Sequence, residues 1–169
     1  MLFERSRQAR RIVISVRPSG VIRVAVPCRS SFKQAEEFAG DKAEWIKLQL
    51  FKIKGISRCE PPGSAAEREK AKAGLTERLG RLAAKHGFTY NRVFIRDQKA
   101  RWGSCSNRNN ISLSIRLSGL PEELIDYVIL HELTHTRKRD HSPAFWAELD
   151  KLVGNGRQMS RWLRAFSLR

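Results

Sequence analysis

A mixed α+β fold is predicted for this 169-residue chain by three features of its sequence. Two β-branched runs near the N-terminus flank Pro18-Ser19-Gly20. A helix-periodic stretch over residues 65–86 precedes three short strand-like runs. A further helical pattern from Pro121 carries His131-Glu132-Leu133-Thr134-His135. Helical and strand periodicities alternating in one chain call for helices packed on a small sheet.

Residues 11–17 and 21–26 are apolar and β-branched, and the Pro/Gly connection between them predicts a hairpin. Helix follows from about Phe32, with a break near Gly40-Asp41 where Asp41 suits the cap of a second segment bearing Trp45, Ile46 and Leu50. The clearest linker is Glu60-Pro61-Pro62-Gly63-Ser64, because two prolines and a glycine end a helix. It separates an N-terminal hairpin-and-helix region, residues 1–59, from residues 60–169, the domain on which that region is expected to pack. Residues 65–86 place Leu75, Leu79 and Leu82 at helical spacing, with Gly87 as the stop. Strands are predicted over 89–96, 99–103 and 110–117, with Ser106-Asn107-Arg108-Asn109 as a turn.

The next helix opens with Pro121, Glu122 and Glu123, which suit its first turn and positive dipole end. Leu124, Val128, Leu130 and Leu133 bury parts of it, and Arg137, Lys138 and Arg139 suit its negative end, before Asp140. Ser142-Pro143 then signals a helix carrying Phe145, Trp146 and Leu149. Beyond Gly154-Asn155-Gly156, a stripe of Met159, Trp162, Leu163 and Phe166 reads as the core face of a terminal helix.

Three of the four histidines fall within eleven residues, at 131, 135 and 141. Two imidazoles four positions apart share a helix face and can grip one metal ion, while the glutamate between them can reach a metal-bound water. A turn after the helix can bring His141 back to the same ion. Three protein ligands leave the fourth position of tetrahedral Zn²⁺ open, whereas structural zinc sites usually close with four. Zinc lowers the pKa of water to about 7 and polarises a carbonyl, so Glu132 can act as general base and pass a proton to a leaving amine. The expected chemistry is amide hydrolysis without a covalent intermediate. Imidazoles also suit nickel, copper or iron, so zinc is expected chiefly from the motif.

The runs Arg101-Trp102-Gly103-Ser104-Cys105-Ser106, Asn110-Ile111-Ser112-Leu113, residues 125–135 and His141-Ser142-Pro143-Ala144-Phe145-Trp146 closely resemble the YgjP-like metallopeptidases, which look related to SprT-like proteases and the wider zincin group. The resemblance implies a zincin-like metallopeptidase domain, with His131, His135 and His141 as zinc ligands and Glu132 as general base. It also places the segment from Arg101 to Cys105 near the cleft. There Arg101, Trp102, Gly103 and Ser104 are candidate substrate contacts, since a strand edge can hold an extended peptide and Gly103 permits close backbone approach. Packing by Trp102 and a bulge at Gly103 explain the same residues equally well. Ser114 departs from the family pattern, which has asparagine there in many relatives.

Other candidates carry less. Cys105 fits a small buried thiol better than a fourth ligand. Asp126 and Glu148 are candidates for orienting a ligand histidine, and Tyr127, Arg101 and Arg137 for assisting an oxyanion, but packing or surface placement explains each more simply. His86 suits a helix end.

Hydrophobic residues make up 41% of the chain, enough for a substantial core, and no run approaches the roughly 18 apolar residues of a membrane span. The N-terminus lacks an apolar signal region, and Cys28, Cys59 and Cys105 form no C-x-x-C pair, so a cytoplasmic protein with reduced thiols is expected. The net charge of +16 divides into +7 over residues 1–64 and +9 over 65–169. A spread excess of this kind is compatible with nonspecific nucleic-acid association and supports no sequence-specific reader. Peptide or protein is the expected substrate. Two alternatives stay open: a metal-dependent hydrolase of another amide or ester, and a basic binding module for nucleic acid or protein in which zinc is structural.

Overall fold

The two β-branched runs pair as the hairpin pattern predicts: β2 (Val13–Val16) and β3 (Ile22–Pro27) are antiparallel, from Val13 opposite Ala25 to Val16 opposite Ile22. The computed structural model describes residues 1–53 and 59–168. Two compact units, Met1–Ser57 and Arg58–Arg169, make up the chain. Residues 54–58 of the expected N-terminal region, and residue 169, lie outside the described residues.

In the first unit, β1 (Leu2–Ser6) lies parallel to β3 on its other side, giving the order β1-β3-β2. No sequence pattern predicts this strand. Its pairing is with a partner beyond the hairpin, and it is held by polar contacts, including Arg5 Nη1 donating to Pro27 O at 2.8 Å and a Glu4–Arg23 ion pair. Val24, Val26 and Ala35 form a small core with Phe3, Ile12 and Ile14 against it. A Ser31/Gln34 capping box starts α1 (Phe32–Asp41), and α2 (Ala43–Ile53) follows. Asp41 ends α1 and does not cap α2. Only Lys42 separates the helices, and Asp41 stays helical where a cap needs extended backbone.

In the second unit, a Ser64/Glu67 capping box starts α3 (Ala65–His86), an arrangement worth about 1 kcal/mol. Gly87 ends it in the left-handed conformation, φ 65°, which costs glycine little. Leu75, Leu79 and Leu82 are buried on the face turned to the rest of the unit. The sheet has the order β4-β6-β5: β4 (Val93–Arg96) is parallel to β6 (Ile111–Ser114), and β5 (Gly103–Cys105) is antiparallel to β6. β5 therefore begins where the sequence pattern ends a strand. Residues 97–98 are tied sideways, Asp97 Oδ1 accepting from Arg116 Nε at 2.8 Å and Gln98 O from Ser114 Oγ at 3.0 Å, which keeps this stretch off the ladder. β6 stops at Ser114, whose hydroxyl accepts from Arg116 N–H and caps a 3₁₀ turn, Ile115–Gly119.

The helix α4 (Glu122–Thr134) is buried nearly all round, more widely than its sequence stripe indicates: Leu124, Ile125, Tyr127, Val128, Ile129, Leu130, Leu133 and Thr134 are all inside. A helix apolar on every side is the centre of its domain. Pro121 is its cap and not its first residue, and it ends at Thr134, earlier than the basic run predicts. α5 (Pro143–Val153) and α6 (Gly156–Leu163) complete the unit and pack on α4, burying Phe145, Leu149 and Met159. No helix among the described residues is long and apolar enough to cross a membrane.

Arg116, only 4% exposed, ties distant segments together. Its guanidinium reaches Asp97, Cys59 O at 3.1 Å, Leu168 O at 3.3 Å and Glu60 at 3.6 Å, while Cys59 N–H donates to Ser167 O at 3.0 Å. Removing the cation takes a donor from Asp97 and from the carbonyls of Cys59 and Leu168. Replacing it in Arg116→Ala is expected to cost about 2–4 kcal/mol of stability, read as a lowered urea midpoint; an unchanged midpoint would show the cluster to be dispensable.

Candidate metal centre

His131 lies in the last turn of α4, His135 at its C-terminal cap, and His141 in the short loop leading into α5. One helix and one turn thus bring three imidazoles together. Nε2 of His141 is 3.0 Å from Nε2 of His131 and 3.2 Å from Nε2 of His135, and all three candidate donor atoms lie within 4.8 Å of one another. A single N–H at His141 cannot serve both close contacts. Nitrogens bonded to one tetrahedral zinc at 2.0–2.1 Å stand about 3.3 Å apart, so the cluster fits a metal ion. Nδ1 of His135 is 2.9 Å from Lys138 O; donating its proton there leaves the Nε2 lone pair for the cluster.

The rings are packed as well as bonded. Phe145, fully buried, stacks on His135 with centroids 4.6 Å apart and meets His131 and His141 edgewise at 4.9 and 4.8 Å. Trp146 stands 6.4 Å from His131. Nδ1 of His131 is buried without a hydrogen-bond partner among the described residues, so aromatic packing orients that ring. Burial, with the neighbouring His135 and His141, pushes its pKa down to about 3. Burial lowers that of His135 too.

Glu132 is 6% exposed, and burial lifts its pKa to about 8 against the downward pull of the Arg101 charge. β5 runs alongside it. Gly103 faces Glu132, and a β-carbon at that glycine would stand 2.7 Å from Cγ of the glutamate. Arg101 is exposed; Trp102 is half-buried, its carbonyl accepting from Ser114 N–H at 2.8 Å; and Ser104 pairs with Ser112 on the opposite face from Gly103.

The lesser candidates sit elsewhere. Asp126 pairs with Arg78 of α3, and Glu148 with Arg137 at 2.9 Å, so neither carboxylate orients a ligand histidine. Arg137 also stacks on Phe88 at 4.1 Å and donates to Gly87 O. Tyr127 is buried and bonded to Ser160, which raises no obstacle to a packing role. Burial pushes the Cys105 thiol up, and its sulfur is not among the clustered donors. All three cysteines are free thiols. Ser114 is fully buried in structural hydrogen bonds.

Arg139 is the contact the sequence did not reveal. From the loop between His135 and His141 it donates to Ser106 O at 2.8 Å and Asn107 O at 3.2 Å, and to Asn109 Oδ1, so the loop of the third histidine is bound to the β5–β6 turn. Its charge reads as a helix-end residue in sequence, and no local spacing marks the partner. Phe145 has a signal in its position one helical turn after His141.

The titrations of metal-free protein oppose one another. His131 has a depressed pKa, so its contribution is present above about 6.5 and is lost as pH falls towards 3. The raised pKa of Glu132 stabilises below about 4.5, and that contribution is lost as pH rises through 8. The Tm of chelator-treated protein is therefore expected to fall between pH 6.5 and 8, and Glu132→Gln to abolish the loss in that window; an unchanged loss in the variant would refute the assignment.

Residues 64–166 match the YgjP-like metallopeptidase domain family. Comparison with curated proteins gives no match. Among solved structures, the metallopeptidase zymogen of Pyrococcus abyssi abylysin is 25% identical with a TM-score of 0.45, covering 52% of this chain and 89% of its own. The metallopeptidase zymogen of Methanocaldococcus jannaschii jannalysin is 20% identical with a TM-score of 0.46, covering 52% of this chain and 90% of its own. Because the family match spans more than half of the sequence, from the cap of α3 through all three histidines to the end of the last helix, the chain belongs to the YgjP-like metallopeptidases.

Proposed function

We propose that this metallopeptidase cleaves peptide bonds with zinc held by His131, His135 and His141 and with Glu132 as general base. The observation that carries the proposal is the meeting of three imidazole nitrogens, with a buried carboxylate next in sequence to the first of them on α4. Bound there, zinc would supply Lewis acidity, lowering the pKa of water and polarising the scissile carbonyl. Glu132 takes the proton of the attacking water and returns one to the leaving amine. Burial lifts its pKa to about 8, near the working pH, so the carboxyl can both take and give a proton, and a cation in the histidine cluster would favour the ionised form that takes it.

The family points to a peptide or protein substrate and gives no ground for a nucleic-acid partner. β5 is an edge strand with β6 on one side only, and an extended peptide can add to the other by main-chain hydrogen bonds. Arg101, Trp102, Gly103 and Ser104 would line that addition. Trp102 and Gly103 also have structural duties, to β6 and to Glu132, so Arg101 is the most exposed of the four for contact with a substrate.

Cleavage of a mixed peptide library by the zinc-loaded chain, followed by mass spectrometry, tests the activity. On a cleaved sequence, Glu132→Gln is expected to lower kcat by about 10²- to 10⁴-fold while zinc stays bound. Full turnover by this variant would remove Glu132 from the mechanism.

A further inference from the structure

Gly103 meets α4 at a point with no room for a side chain. A β-carbon there would lie 2.7 Å from Cγ, 2.8 Å from Oε1 and 3.0 Å from Cδ of Glu132. Ordinary contact between carbon atoms is about 3.5–4.0 Å. Gly103 is not in the left-handed region, so the position demands space and not conformational freedom.

Neither side of the contact can withdraw freely. β5 is paired to β6 with Gly103 opposite Leu113, which is fully buried, and the preceding carbonyl is bonded to Ser114 N–H. Ile129 and Leu133 fix α4 with side chains that are also fully buried. The nearest atom, Cγ, is close to the root of the glutamate side chain. Relief therefore requires a change of rotamer near the backbone and not only a swing of the carboxylate.

We infer that Gly103 is a positioning residue for the reaction: the missing side chain is what lets Glu132 lie against β5. The inference rests on the proposed role of Glu132 as general base. A methyl group at 103 displaces the glutamate by about 1 Å, and misplacement on that scale lowers a rate on the order of 100-fold. The three atoms nearest the added carbon all belong to Glu132 and none to an imidazole.

The full-length chain tests this in two ways. In metal-free protein, Gly103→Ala is expected to lower Tm by about 4 °C or more with Glu132 present and by less than about 1 °C in a Glu132→Ala background, where the clashing atoms are gone. Should Gly103→Ala alone fail to fold, the double variant is expected to fold. Equal losses in both backgrounds, or a double variant that does not fold, would overturn the inference. In zinc-loaded protein, Gly103→Ala is expected to lower kcat on the order of 100-fold, with KM and zinc content little changed. Wild-type kcat in Gly103→Ala alongside an inactive Glu132→Gln overturns the positioning role alone. Full turnover in Glu132→Gln instead removes the general-base reading on which it rests.

Discussion

A carboxylate in a protein interior loses its hydration, and the penalty amounts to several kcal/mol unless other groups replace the water. Glu132 is in that position because it belongs to a helix buried on nearly every side. The consequences run through the whole second unit. Its neighbour on β5 is a glycine with no room for a side chain, burial lifts its pKa to about 8, and a cation is the natural counterpart for its charge. His131 and His135 meet the same difficulty with opposite sign: burial and neighbouring imidazole charge disfavour their protonated forms, which leaves neutral nitrogens free to donate to a metal.

Supporting contacts come from both directions along the chain. From the N-terminal side, the sheet presents β5 at its edge, where this short strand borders Glu132. From the C-terminal side, α5 brings Phe145 under all three imidazoles, and Arg139 binds the intervening loop to the β5–β6 turn. The β5–β6 turn thereby touches the loop of the third histidine, and β5 touches Glu132.

Much of this was legible in sequence because it is local. The spacing of His131 and His135 fixes their common helix face, and the Ser142-Pro143 signal places the turn that returns His141. The 65–86 helix with its Gly87 stop and the hairpin follow from equally local patterns. The less legible features depend on distant partners. β1 pairs with β3 beyond the hairpin; the start of β5 shifts because Asp97 and Gln98 are claimed by Arg116 and Ser114; and α4 ends at Thr134 because the following residues fold into tight turns, with Arg137 and Lys138 N–H both donating to Thr134 O. Gly103 belongs with these. A glycine in a strand has several causes, and only the folded chain shows that the side chain it accommodates is Glu132.

The most direct test of the account is metal stoichiometry. Plasma mass spectrometry of the purified wild-type chain and of His131→Ala, prepared under identical conditions, measures it. About one zinc per wild-type chain, with strong loss in the variant, is the result the account predicts. Wild-type protein that binds no specific metal even after reconstitution with zinc would contradict it.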